Sequence, residues 1–228
     1  MGALWLALDL ASPEERSAAP KYMLANAERL FDEKAGLLKP LAVGKAAQMG
    51  TEREHLLFRH SRLGRENVQA WYGPAVLPPE MQPMVCRSEP RLTTTLEAWE
   101  RLPDGRLRYH ELKCCRDTRP TLRWYWRLQC IAGCLVIGAE EGHVITGPGW
   151  ALDAAYPEPD LPEPIEFPVS FNEWDEGSIL EAVACGWKIV TERRDAWLEW
   201  SRLNPGKTER QYMNVRAKGG REGGADGS

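Results

Sequence analysis

The feature that most constrains the fold is a turn, Pro103-Asp104-Gly105, set between two segments that each read as a strand. Residues 91–102 (RLTTTLEAWERL) are rich in Thr, Leu and Trp, residues 106–115 (RLRYHELKCC) alternate, and Pro-Asp-Gly between them signals a hairpin. A three-residue loop centred on Asp104 pairs Leu102 with Arg106. Continuing that register sets Glu97 opposite Glu111 and Thr95 opposite Lys113. The period of two then puts Thr95, Glu97, Trp99, Tyr109, Glu111 and Lys113 on one face, expected to be open to solvent. Leu96, Ala98, Leu112 and Cys114 point to the other, expected to lie under helices. Directly opposed carboxylates, with Cβ atoms roughly 5 Å apart, repel one another unless a cation lies between them. Oxygen ligands at that spacing suit a hard cation, Mg²⁺ or Mn²⁺. Glu-x-Lys alone is a weak motif that solvated strands supply by chance, so its context must carry the weight.

A chain of 228 residues holds one substantial core, and the expectation is a single domain over residues 1–217, with a helical part at 1–44 and a core at 45–203. The glycine-rich tail from Lys218 (KGGREGGADGS) is expected to be disordered. No apolar run reaches the length of a membrane span and the start lacks a basic leader, so a soluble, cytoplasmic protein is expected. The six cysteines include no C-x₂-C pair; Cys130 and Cys134, four apart in an apolar segment, read as small buried hydrophobes.

The net charge of −4 speaks against a nucleic-acid partner, but its distribution speaks for one. Residues 101–127 carry eight Lys or Arg against three Asp or Glu, a local balance of +5, whereas residues 128–187 carry no Lys or Arg and eleven acids. Such asymmetry confines a polyanion to one face. Arg116, Arg119, Arg123 and Arg127 are the candidate phosphate contacts; pairing with acids of the 139–181 region is their structural alternative.

Ser12-Pro13-Glu14-Glu15 is a capping box with proline at the first helical position, opening a helical region that continues past Pro20 to about Lys34. Residues 43–63 read as a helix ended by Gly64, residues 66–90 as an irregular crossing rich in proline, and 121–138 as an apolar helix. Gly142–Thr146 and Ile165–Phe171 read as strands and Asp175–Leu203 as a long closing helix. The expected class is mixed α/β, a central mixed sheet flanked by helices.

Glu54, Glu97, Glu111-Leu112-Lys113 and the helix carrying Gln129 fall in the order of the PD-(D/E)XK nuclease core, and the chain resembles the phage recombination exonucleases of the lambda-exonuclease or YqaJ type. Gly50-Thr51-Glu52-Arg53-Glu54 matches that family's helical G-x-x-x-E, Glu111-Leu112-Lys113-Cys114 its E-[LIV]-K with Cys, and Trp124–Gln129 leading to Gly138 part of its Q-x-Q helix. The similarity covers roughly residues 45–185. Two departures stand out: the first-strand acid is Glu97 where Asp is usual, and Arg127 replaces the first glutamine. The family's substrate-binding residues have no counterpart placed within 1–44.

The resemblance implies a restriction-endonuclease-like core and Mg²⁺-dependent, 5′ to 3′ degradation of linear double-stranded DNA in phage- or prophage-type recombination, within a bacterial host cytoplasm. It also implies a single-strand annealing protein as partner and a homo-oligomer, commonly a ring-shaped trimer. Glu97, Glu111 and the Leu112 carbonyl would hold the metal, Glu54 a second one, Lys113 would serve the attacking water or the phosphate charge, and Gln129 would orient them. Trp99, on the same face, could stack against a nucleotide. Alternatives are another PD-(D/E)XK DNA nuclease, RecB-like or of the iron–sulfur type whose cysteine pattern is missing here, and a DNA-binding or scaffold protein with a decayed site.

Overall fold

The computed structural model describes residues 1–40, 45–66, 69–72, 85–94, 97–115, 120–148 and 163–222. Helix α1 (Gly2–Ala7) precedes α2 (Pro13–Ala18), whose N-terminus carries the expected capping box. The Glu15 N–H donates to Ser12 Oγ at 3.1 Å and the Ser12 N–H returns to Glu15 Oε2 at 2.9 Å. The helical region resumes beyond Pro20 as α3 (Lys21–Asn26) and α4 (Arg29–Lys34), broken into short pieces and ending at the residue expected. Helix α5 (Lys45–His60) is followed at once by α6 (Arg62–Glu66), so Gly64 does not end a helix but lies inside one. A Cβ on Gly64 would overlap the Phe58 carbonyl. The glycine supplies room for the bend between the two helices, where buried Ser61 donates its hydroxyl to that same carbonyl at 2.6 Å.

Five strands form one sheet in chain order: β1 (Ala70–Tyr72), β2 (Ala98–Arg101), β3 (Leu107–Cys115), β4 (Glu141–Pro148) and β5 (Ile165–Val169). The β3–β4 pair is parallel and the other three are antiparallel. A parallel pair needs a crossover, and helix α7 (Trp124–Ile137) makes it. This is the mixed α/β class expected. The hairpin register is also as read, with Ala98 opposite His110, Arg101 opposite Leu107, and the Leu102 N–H donating to the Arg106 carbonyl at 2.8 Å. Three details differ. β1 lies in the segment read as irregular; β2 is shorter than residues 91–102, Thr93 making only an isolated bridge to Val85; and Thr95 and Leu96 lie outside the described residues.

Ala98, Leu112 and Ile145 pack with Leu57 of α5 and Leu63 of α6, as the apolar face requires. The opposite face is not open to solvent, which corrects the expectation. Trp99 is 2% and Tyr109 0% exposed, and a Cβ on Gly133 of α7 would overlap the Tyr109 ring. The physical reason is the parallel pair: its crossover helix has to lie against a face of the sheet, and α7 takes the one that carries Tyr109.

The chain divides into two compact units, one of residues 1–2 and 42–183, the other of residues 3–41 and 184–228. The first holds the sheet with α5, α6, α7 and the start of α8 (Glu173–Leu203). In the second, Phe31, Leu37, Val190 and Tyr212 are buried together, and Asp32 receives Arg193 at 2.9 Å and Arg216 at 2.6 Å. Helix α9 (Glu209–Glu222), anchored by Tyr212, continues through Lys218–Glu222, residues the composition assigns to a disordered tail. Among the described residues no helix is long and apolar enough to cross a membrane.

Candidate active site

Strand β3 delivers two of the site's groups by its own periodicity. Glu111 and Lys113 are two apart and therefore on one face, and the Lys113 ammonium donates to Glu111 Oε1 at 2.6 Å. Glu97, just before β2, completes the group: Lys113 Nζ reaches its Oε1 at 3.1 Å and the Leu112 N–H donates to its Oε2. The side chains of Glu97, Glu111 and Lys113 are only 15%, 5% and 17% exposed. One ammonium bracketed by two carboxylates at low exposure is a strong electrostatic arrangement, because little water screens it.

The titration behaviour follows from that burial. Glu97 is pushed up to about 8, first by desolvation and then by the neighbouring Glu111 charge, with Lys113 and the Leu112 N–H opposing. Burial alone would depress Lys113, but Glu111 and Glu97 outweigh it and hold the ammonium above its usual range. Glu54 of α5 is also raised, by desolvation first, and it feels both Lys113 and Glu111. Glu54, Glu97, Glu111 and Lys113, which the sequence sets 59 positions apart from first to last, thus act on one another as a single cluster. Glu97 and Glu111 share the Lys113 ammonium, and Glu54 lies within its field.

Gln129 is half-buried on α7 and, among the described residues, is not joined to these acids by a hydrogen bond. Of the candidate phosphate contacts, Arg116 and Arg119 lie outside the described residues. Arg123 lies over the Trp126 ring, 4.7 Å from its centroid, and donates to the Tyr125 hydroxyl at 2.8 Å. Arg127 donates to both oxygens of Asp175 at 3.0 Å and to the Ser170 carbonyl at 3.2 Å, which is the structural pairing named as its alternative. Trp99 cannot offer its face to a nucleotide. It is buried and stacked on Trp71, with ring centroids 4.4 Å apart. One group without an assigned role emerges from the structure: the Tyr109 hydroxyl donates to Glu111 Oε2 at 2.7 Å. Its place two residues before Glu111 on the same strand was the signal in the sequence.

Among the described residues no three His, Cys, Asp or Glu side chains stand close enough together to enclose a metal ion by themselves. The donor set still fits a hard divalent cation. Glu97 and Glu111 converge on one cation already, and their ligating atoms are all oxygen. Comparison with protein-family models, with curated proteins and with solved structures returns no match.

Proposed function

We propose that this protein is a Mg²⁺-dependent nuclease of the PD-(D/E)XK class that degrades linear double-stranded DNA from its ends. One observation carries the reading: Lys113 Nζ stands 2.6 Å from Glu111 and 3.1 Å from Glu97, with Glu54 in the same field. An antiparallel β1-β2-β3 meander followed by a helical crossover to a parallel strand supports the finer fold assignment. Glu97, Glu111 and the Leu112 carbonyl would hold the ion, which when bound supplies Lewis acidity toward a phosphodiester and acidifies a water ligand.

The chain's own contribution is electrostatic. Lys113 is held protonated by its acids, so it serves as a fixed cation that orients the attacking water or meets the charge growing on the phosphoryl oxygens, and not as a base. Glu97 and Glu111 fix the ammonium's position from two sides, so little reorganisation is needed when that charge develops. Partial burial keeps bulk water from screening it.

The test is hydrolysis of linear duplex DNA, with 5′-phosphate and 5′-hydroxyl ends, against covalently closed circles, with Mg²⁺ and with chelator. Mg²⁺-dependent release of nucleotides from the linear substrates, circles spared, and loss of that activity in Glu111→Gln are expected. No Mg²⁺-dependent cleavage by the unmodified chain, or full activity in Glu111→Gln, overturns the reading.

A further inference from the structure

Tyr109 is the most deeply buried polar group touching the site. It is 0% exposed, and its hydroxyl meets one oxygen of Glu111, Oε2, while Lys113 meets the other, Oε1. The two contacts split the carboxylate's oxygens between them. The ring is seated against Gly133, where any side chain would overlap it, so the donor is fixed from a second element, α7.

We infer that Tyr109 is a positioning residue that makes Glu111 a one-oxygen ligand and thereby selects Mg²⁺ over larger cations. With Oε2 held by the buried hydroxyl, Oε1, the oxygen shared with Lys113, is the one better placed to face an ion. Mg²⁺ keeps strict octahedral geometry and accepts single oxygens, whereas Ca²⁺ readily takes a carboxylate through both. A hydrogen-bonding partner behind a ligating carboxylate commonly governs metal affinity by about 10- to 100-fold. The inference rests on the nuclease reading for its catalytic consequence, but its binding consequence is separate.

Calorimetric titration of Mg²⁺ and of Ca²⁺ into the DNA-free protein, together with steady-state cleavage of linear duplex, tests it on Tyr109→Phe. The ring survives in that variant and only the hydroxyl is lost. We expect the Mg²⁺ affinity to fall about 10-fold or more, the Ca²⁺ affinity to hold or rise, and kcat to fall while KM for DNA stays unchanged. Gly133→Ala, which alters no atom of the cluster but displaces the ring, should shift the Mg²⁺ to Ca²⁺ ratio in the same direction. An unaltered ratio in soluble, cooperatively melting Tyr109→Phe overturns the inference, whatever its activity. Absence of Mg²⁺-dependent cleavage in the unmodified protein, with the affinity ratio still shifting in the variant, would instead remove the nuclease reading and leave Tyr109 as a selector of ions.

Discussion

Strand β3 carries a charged cluster on each face, and the two are solved differently. On the face shared with Leu112, Arg108 donates to Glu100 at 2.8 Å and lies 2.8 Å from Glu141, and His110 Nε2 is 3.1 Å from Glu100. Burial alone would raise Glu100, yet His110 and Arg108 together hold it below the usual carboxylate range. Glu97, on the other face, and Glu54 of α5 are raised, first by desolvation. The two clusters sit on alternate residues of the same strand and burial raises the acids of both, so what differs is whether paired side chains outweigh it. At Glu100 the hydrogen bonds and charges of His110 and Arg108 outweigh burial, whereas at Glu97 and Glu54 burial outweighs the single Lys113 ammonium.

The largest expected effect comes from removing the shared cation. Lys113→Met should lower turnover by about 10²- to 10³-fold with DNA affinity little changed, read by single-turnover cleavage at saturating enzyme. Without divalent ions it should also cost about 3–5 kcal/mol of stability, since buried carboxylates lose their partner, and Mg²⁺ should restore much of that loss in denaturant melts. Arg108→Met, the matching change on the other face, should cost a similar amount, on the order of 3 kcal/mol, with no recovery on adding Mg²⁺. Recovery in both variants, or in neither, breaks the contrast.

A smaller effect is expected from pH. In chelator, Glu97 holds its proton more tightly in the folded chain than in the unfolded one. Its contribution to stability is therefore full below the ordinary value of 4.5 and is lost as pH climbs through about 8. Glu97→Gln should flatten the melting-temperature profile over that window and raise it at pH 8. Glu100 runs the other way: its contribution is present above the ordinary carboxylate value and disappears as pH falls through its lowered one, so Glu100→Gln should flatten only the acid limb. The smallest effect belongs to Arg127→Ala. Its pair with Asp175 is about a third exposed on the arginine side, so the loss should be about 1 kcal/mol or less, with an unchanged slope of DNA affinity against log salt. A slope reduced by about one would restore Arg127 as a phosphate contact.

What could be read from the sequence was whatever neighbours in the chain decide. Pro103-Asp104-Gly105 fixes the hairpin register, and from that register the convergence of Glu97, Glu111 and Lys113 follows by counting. Ser12 and Glu15 announce their helix because both halves of the box lie within one turn. β1 was not legible: three residues hold no period to detect, and they form a strand only because β2 is there to pair with. The covering of Trp99 and Tyr109 by other residues was equally hidden, since alternation assigns a face and says nothing of what lies over it. The role of Tyr109 was half visible. Its face and its nearness to Glu111 were given, but the seat of its ring against Gly133, distant in the chain, was not.

The unit made of residues 3–41 and 184–228 has a consequence for how the protein comes into being. Phe31 and Asp32 are finished early in synthesis, yet Val190, Arg193, Tyr212 and Arg216, which enclose them, are made at least 158 positions later. At ribosomal speeds of about 5–20 residues per second, the first helices wait for roughly ten seconds or more with an apolar side uncovered. The sheet-bearing unit, contiguous over residues 42–183, can close in the meantime. A chain interrupted before Tyr212 would leave those helices without their cover, the kind of surface that chaperones and proteases read as unfinished.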